Sequence, residues 1–371
     1  MSRYINKASS PDYLFISLLF FLVIFGLVML SSASSEKAQD QFGNSYYYVN
    51  HQIVYGLSIG LVGFLVGALV YYRFWEKFAL PLLLLSLALV LLVFTPLGLN
   101  IKGGERWVAV GPVSFQPSEL LKLSFFIYLG TWIGRSQSRS QSFGNGLIPF
   151  LFLVGGVMLV LLLQPSTTTA ALIFTASILT YFTAGARLRF LVVAVLIAAL
   201  AFSLLVYITP YRLTRVISFL NPSVDELGTS YHINQAQTAI GSGGIFGVGF
   251  GKSTTKLNSL PEPIGDSIFA VIAEELGFVG GILLIFIFLF FVWRGLAIAR
   301  AAPDTFGRLI VTGFMSIIGL QAFVHIAAIS GVTPLTGVPL PFISYGGTSL
   351  ATFLMMSGIV VNISRYRVGR R

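Results

Sequence analysis

Four carboxylates, eight glycines and two lysines crowd the stretch from Thr229 to Gly277, TSYHINQAQTAIGSGGIFGVGFGKSTTKLNSLPEPIGDSIFAVIAEELG, a long polar interruption in a chain otherwise made of apolar spans. Asp266 sits where this loop meets the next apolar run, just after a Pro261-Glu262-Pro263 turn. A carboxylate there can act as general base toward a bound hydroxyl once its surroundings raise its pKa. The six glycines between Gly241 and Gly251 let the backbone take positive φ and approach a ligand closely. Lys252 and Lys256 lie beside them as cations for a diphosphate. The run GVGFGKS is not a nucleotide-binding P-loop, because the pattern requires glycine five residues before Gly251 and Phe246 stands there.

A second constellation is KGGERWVAVGPVSFQPSELLKL, Lys102 to Leu123. Arg106 stands beside Trp107, Gly111-Pro112 and Gln116-Pro117 read as turns, and Ser118 reads as an N-cap. Glu119 and Lys122, three apart, share one helix face about 4.5 Å apart along the axis. An ammonium a turn inside a membrane helix costs at least about 2.5 kcal/mol unless it is paired or faces water. Two readings follow: a local pair near the surface, or a Lys122 that faces a hydrated cavity and partners a carboxylate from another span. Arg212 and Arg215 share a face just after a span, as phosphate contacts require, or as solvated interfacial arginines would.

Three other features have mainly structural readings. The hydroxyls of QPSTTTA, Gln164 to Ala170, suit a helix start. Glu274 and Glu275 are adjacent in an apolar run and should be paired or hydrogen-bonded in the interior. His325, without Cys, Asp or Glu at ligand spacing, reads as a satisfied core histidine. TPLTGVPLPFISYGGTS, Thr333 to Ser349, holds three prolines and a Gly-Gly, and non-helical backbone at membrane depth must be buried in protein or line a watery cavity.

The elements that must position these groups are membrane helices. The chain is 56% hydrophobic and 10% charged, with mean hydropathy +0.87, which excludes a soluble domain of this length. The opening apolar run is long enough to span and is read as the first span instead of a signal peptide. Without cysteine there is no disulfide, thiolate nucleophile or sulfur-ligated metal. Apolar windows place ten spans, near 13–31, 51–71, 76–97, 118–134, 147–163, 168–184, 189–208, 266–293, 306–330 and 341–363. The expected fold is an all-α integral membrane protein, one polytopic domain over 1–371, with a large extracytoplasmic loop, 209–265, between helices 7 and 8. Fifteen of the 23 basic residues fall on the side that includes both ends, so residues 1–12 and 364–371 are assigned to the cytoplasm. The net charge of +10 then reflects topology and anionic head groups, not nucleic acid.

At these residues the chain resembles the SEDS (shape, elongation, division and sporulation) family, the FtsW/RodA-type peptidoglycan glycosyltransferases. The resemblance covers essentially the whole chain and is carried by GERWVAVGPVSFQPSELLKL, by the AIGSGGIFGVGFG and KLNSLPEPIGDSIFAVIAEELGF blocks and by VTPLTGVPLPFISYGGTS. It leans to the FtsW-like division type. It implies ten helices and a bacterial cytoplasmic membrane location, and it places the family's catalytic acid on Asp266 and its fourth-helix pair on Glu119 and Lys122. Two blocks depart from the usual pattern: Gly265-Asp266-Ser267 stands where Thr-Asp-Phe is common, and Gln164-Pro165-Ser166 lacks the acid usual after Gln-Pro.

The implied activity is polymerisation of lipid II, an undecaprenyl-diphosphate-linked disaccharide pentapeptide, into glycan strands. An α-linked donor giving a β-linked product needs one in-line displacement, a base and a stabilised leaving group. Asp266 is the expected base, with Glu262 and Glu119 as the other acids near the site. Arg106, Arg212, Arg215, Lys252 and Lys256 are the expected diphosphate cations. No cofactor pattern is present, and a divalent cation stays open. The implied partner is a class B penicillin-binding protein. A lipid flippase and a non-catalytic division scaffold are the rival readings; the first would suit the intramembrane charges and the broken segment near Pro334.

Overall fold

Asp12 starts the first helix by accepting a hydrogen bond from the Phe15 amide at 3.0 Å, and its carboxylate also pairs with Arg294 at 2.7 Å. The computed structural model describes residues 9–101, 104–110, 113–136, 139–220 and 229–366. Helices α1 Tyr13–Phe42, α2 Tyr47–Leu69 and α3 Arg73–Phe94 lead to three short strands, β1 Gly98–Ile101, β2 Gly104–Val110 and β3 Val113–Phe115. Then follow α4 Pro117–Gly134, α5 Phe143–Leu163, α6 Thr167–Thr183 and α7 Leu188–Ile208. The large loop contains α8 Pro210–Leu220, α9 Thr229–Ser242 and α10 Thr255–Asn258. The chain closes with α11 Ile268–Arg300, α12 Thr305–Ile329 and α13 Gly347–Ser364.

Among the described residues, eight helices are long and apolar enough to cross a membrane. The remaining two expected spans form helices where the sequence placed them, as α4 and α6. They are less apolar or shorter: α4 carries Glu119 and Lys122, and α6 has 17 residues. The tenth span needs correction, since helix begins only at Gly347 and residues 341–346 belong to the non-helical segment before it. The strands also correct a purely helical reading: β1, β2 and β3 form an antiparallel sheet in that order. The N-cap expected at Ser118 is not there; Pro117 opens α4 at its first turn, where the missing N–H costs nothing. The terminal arginines, Lys102 and the Gly111-Pro112 turn lie outside the described residues.

One end of the bundle joins Asp12 to Arg294, Asp304 to Arg73 at 2.8 Å, and Asn362 to the Tyr72 amide at 3.0 Å. The segments with function-bearing motifs meet one another at the other end. Arg106 donates to the Pro165 carbonyl at 2.7 Å, Thr168 to that of Thr336 at 3.3 Å, and Ser344 to that of Gly265 at 2.8 Å. The alternation of spans read from the sequence therefore matches which loops share an end.

Small residues set the helix spacing. A Cβ on Gly358 of α13 would stand 2.2 Å from the Phe64 carbonyl of α2, and one on Gly67 would stand 2.8 Å from the Met355 carbonyl. Backbones approach this closely only where side chains are absent, the usual solution where lipid offers no hydrophobic drive between helices. Gly358→Ala is expected to cost about 1–3 kcal/mol by overpacking. A thermal midpoint in detergent equal to that of the parent would contradict this close approach.

Candidate active site

Asp266 lies at the junction where the loop ends and α11 begins, two residues before Ile268. Its side chain is partly exposed, and no hydrogen-bond donor among the described residues reaches its carboxylate. The wall beside it is the non-helical segment 331–346. A Cβ on Gly337 would stand 3.4 Å from Asp266 Oδ2, so this glycine, at φ +63°, brings bare backbone against the carboxylate.

The next two residues of that wall are held by α12. His325 Nδ1 bonds the Val338 carbonyl at 2.8 Å, and Gln321 Nε2 donates to the Pro339 carbonyl at 2.9 Å. Gln321 Oε1 in turn accepts from Lys122 Nζ at 2.8 Å, and Lys122 pairs with Glu119 at 2.7 Å. Lys122 also lies 4.9 Å from the Phe353 ring centroid. The Glu119 and Lys122 side chains are 4% and 2% exposed, so the pair is local, as one reading had it, but deep inside the bundle and not near the surface. The other reading placed Lys122 against a carboxylate from another span, and the partner it meets there is an amide. His325 Nε2 is buried without a hydrogen-bond partner among the described residues.

Further bonds fix the start of α11. Ser344 Oγ donates to the Gly265 carbonyl at 2.8 Å, and the Tyr345 amide donates to that of Ile264 at 2.9 Å. Ser267 Oγ donates to the Pro261 carbonyl at 2.7 Å and meets His232 Nε2 of α9 at 2.6 Å. Glu262 has a positive φ of 50°, and its carbonyl accepts the amides of Gly265 and Ser267, each at 3.1 Å. This turn aims Asp266 off the helix end.

The glycine-rich run is used differently from the sequence expectation. Its close approach is to the protein's own backbone: α11 is broken at Gly277, φ 70° and ψ −171°, and the loop docks into the break. The Phe278 and Val279 amides donate to the carbonyls of Gly244 and Ile245, at 2.9 and 3.1 Å. A Cβ on Gly247 would stand 2.2 Å from the Glu275 carbonyl. Glu274 accepts from Ser253 Oγ at 2.6 Å, from the Thr254 amide at 3.0 Å and from Thr255 Oγ1. Glu275 pairs with Lys256 at 2.7 Å and accepts from Ser32 Oγ at 2.6 Å.

That pairing corrects the expectation for Lys256. Its side chain is 5% exposed and its ammonium is spent on Glu275, Ser32 and the Gly251 carbonyl. Lys256→Met would strand the buried Glu275 carboxylate and is expected to cost about 3–5 kcal/mol. The paired variant with Glu275→Gln should recover most of it, measured as thermal midpoints; equal midpoints for parent and Lys256→Met would return Lys256 to the surface.

The remaining cations divide. Arg212 donates to Thr167 Oγ1 at 3.0 Å, to Thr209 Oγ1 at 3.1 Å and to the Leu162 carbonyl at 3.2 Å, tying α8 to the α5–α6 turn. The hydroxyls of Thr167 and Thr168 are thus engaged in tertiary bonds in place of the helix-start capping read from QPSTTTA. Arg106 reaches the same turn at Pro165. Lys252 is exposed. The Arg215 side chain lies outside the described residues. Among those residues, no three His, Cys, Asp or Glu are grouped to hold a metal ion.

Sequence reading passed over Gln321, His232, Ser344 and Tyr345. Gln321 was findable: with His325 it puts two polar side chains four apart on one face of an apolar span, and both must find partners.

A bundle of membrane-length helices, with a broken helix and an inserted segment at one end and a partly exposed carboxylate between them, defines an integral membrane protein with Asp266 as the candidate site at that end. The FtsW/RodA/SpoVE family model, described as cell cycle protein, matches residues 12–369, and the chain belongs to this family. It is 38% identical to stage V sporulation protein E of Bacillus subtilis (strain 168), over 97% of this chain and 99% of that protein. It is also 38% identical to the probable peptidoglycan glycosyltransferase FtsW of Trichlorobacter lovleyi, over 96% and 94%. Among solved structures, a chain from a peptidoglycan synthase complex that coordinates polymerization and crosslinking superposes with TM-score 0.81 at 29% identity, over 98% of both chains. RodA, the rod shape determining protein of Thermus thermophilus, superposes with TM-score 0.72 at 27% identity, over 99% of both.

Proposed function

We propose that this protein polymerises lipid II on the outer face of the cytoplasmic membrane, with Asp266 as general base toward the acceptor sugar hydroxyl. The enzyme class, peptidoglycan glycosyltransferase, comes with the family. The observation that carries the assignment is Asp266 itself: a partly exposed carboxylate without a hydrogen-bond partner among the described residues, on a fixed turn and beside a wall that α6 and α12 hold in place. A base must be reachable by the acceptor hydroxyl, and Glu119, Glu274 and Glu275 are all buried, the first ion-paired with Lys122, the second bonded by Ser253, Thr254 and Thr255, and the third ion-paired with Lys256. Inversion needs no enzyme nucleophile, so one in-line displacement joins the sugars while the diphosphate leaves.

The leaving diphosphate meets Lys252, the exposed lysine of the glycine loop, and the partly buried Arg106 and Arg212 gathered on the α5–α6 turn. Preorganised cations at the developing charge lower the barrier without reorganising. Purified protein incubated with lipid II should yield polymer on a gel, and the same assay with a chelator reads any divalent-cation requirement. Absence of polymer, with and without a class B penicillin-binding protein as the proposed transpeptidase partner, would overturn the reading.

Sidedness rests on the basic residues, 15 of 23 on the side of both termini. A reporter after Arg371 should be cytoplasmic and one near Asn258 external. Labelling of the C-terminus in intact cells by an impermeant reagent would invert the placement of Asp266.

A further inference from the structure

An aromatic patch stands beyond the bilayer end of α1. The apolar part of α1 ends at Leu30, and twelve further residues carry the helix on to Phe42, about 18 Å at 1.5 Å per residue. Phe42 therefore lies past the apolar part of α1, at the turn that leads into the membrane-length helix α2. There Phe42 stacks on Tyr47 with ring centroids 3.7 Å apart and planes 12° from parallel, and both rings remain exposed, 48% and 37%. The patch continues through Tyr48, edge-on to Tyr345 at 5.2 Å, and His51, 5.8 Å from the same ring. The Tyr345 hydroxyl and His51 Nδ1 share a hydrogen bond at 2.9 Å.

Around the rings stand side-chain amides whose oxygens are used internally. Gln39 accepts from Ser45 Oγ at 3.0 Å, Gln41 from Tyr48 OH at 2.7 Å and Asn44 from the Tyr46 amide at 3.0 Å. Their NH2 ends have no partner among the described residues and face outward as donors. Flat aromatic faces with outward amide donors match the chemistry of an N-acetylated sugar, whose axial C–H face packs on a ring while its hydroxyls and acetamide accept hydrogen bonds. The patch is continuous with the active site, because the Tyr345 amide bonds the Ile264 carbonyl two residues before Asp266.

We propose that Phe42, Tyr47, Tyr48, His51 and Tyr345 form a glycan subsite that holds already joined amino-sugar units of the strand beside Asp266. The inference rests on the glycosyltransferase reading above. It makes the α1–α2 loop a strand guide, so the patch should govern product length.

The test uses the full chain in nanodiscs and lipid-free glycan oligosaccharides released from peptidoglycan by a muramidase. The parent should bind them, and Asp266→Asn should bind them equally. The pair Phe42→Ala with Tyr47→Ala should lose about three- to tenfold in affinity, the factor one aromatic contact supplies, and make shorter strands. Tyr47→Phe keeps the ring face and should bind like the parent. Equal affinity and equal strand length for the alanine pair would overturn the proposal. So would a shift in bilayer depth with unchanged oligosaccharide affinity, which marks a membrane anchor. Polymer from the parent without oligosaccharide binding sinks the subsite alone; oligosaccharide binding without polymer sinks the polymerase reading and leaves the subsite standing.

Discussion

Asp266→Asn is expected to bind lipid II normally and to polymerise it at least about 10²-fold more slowly, the lower end of what general base catalysis contributes. The amide keeps shape and volume and removes the proton acceptor. Because no side-chain bond from the described residues holds the carboxylate in place, its replacement should leave the turn at Glu262 to Ser267 intact, since that turn is built from the Gly265, Ser267 and Ser344 bonds. Asp266→Glu keeps a carboxylate but pushes it one methylene toward Gly337, whose Cβ position is already 3.4 Å from Oδ2, so only a little more activity should survive than in the Asn variant. Purified variants at equal thermal midpoint, assayed for polymer and for lipid II binding, decide it. Near-normal polymer from Asp266→Asn would move the base to Glu262, since Glu119 is occupied by Lys122. A flippase would instead lose lipid translocation in vesicles, and its parent would make no polymer.

Lys122→Met should lower both stability and activity, and a second variant separates the two. Removing the ammonium strands Glu119, whose Oε2 already lacks a hydrogen-bond partner, in a site 4% exposed, at a cost of about 3–5 kcal/mol. It also frees Gln321, whose amide holds the Pro339 carbonyl, so the wall beside Asp266 loosens. Displacements on the order of 1 Å at a reacting centre cost up to about 10²-fold, and a fall on the order of tenfold or more is expected here. Glu119→Gln combined with Lys122→Met removes both charges and should recover most of the thermal midpoint while polymerisation stays low. Activity that returned in step with the midpoint would reduce the pair to a structural one.

The sequence by itself determined what is written locally along the chain. Windows of about 20 apolar residues dictate membrane helices whatever their neighbours, and the helices lie within a few residues of those windows except where α1 and α11 run on past the bilayer and α13 starts late. The i,i+3 spacing of Glu119 and Lys122 made their pairing a local matter, and the polar loop ending at Asp266 announced a carboxylate at a helix start. Tertiary structure decided everything that needed a partner from elsewhere. Burial forces Lys256, Gln321 and His325 to find partners, but nothing local says that these are Glu275, the Pro339 carbonyl and the Val338 carbonyl. Glycine permits close approach without naming the surface approached, and here that surface is the break at Gly277 and not a ligand. The three short strands escaped notice because their pairing, such as Leu99 with Trp107, is a property of two segments and of neither alone.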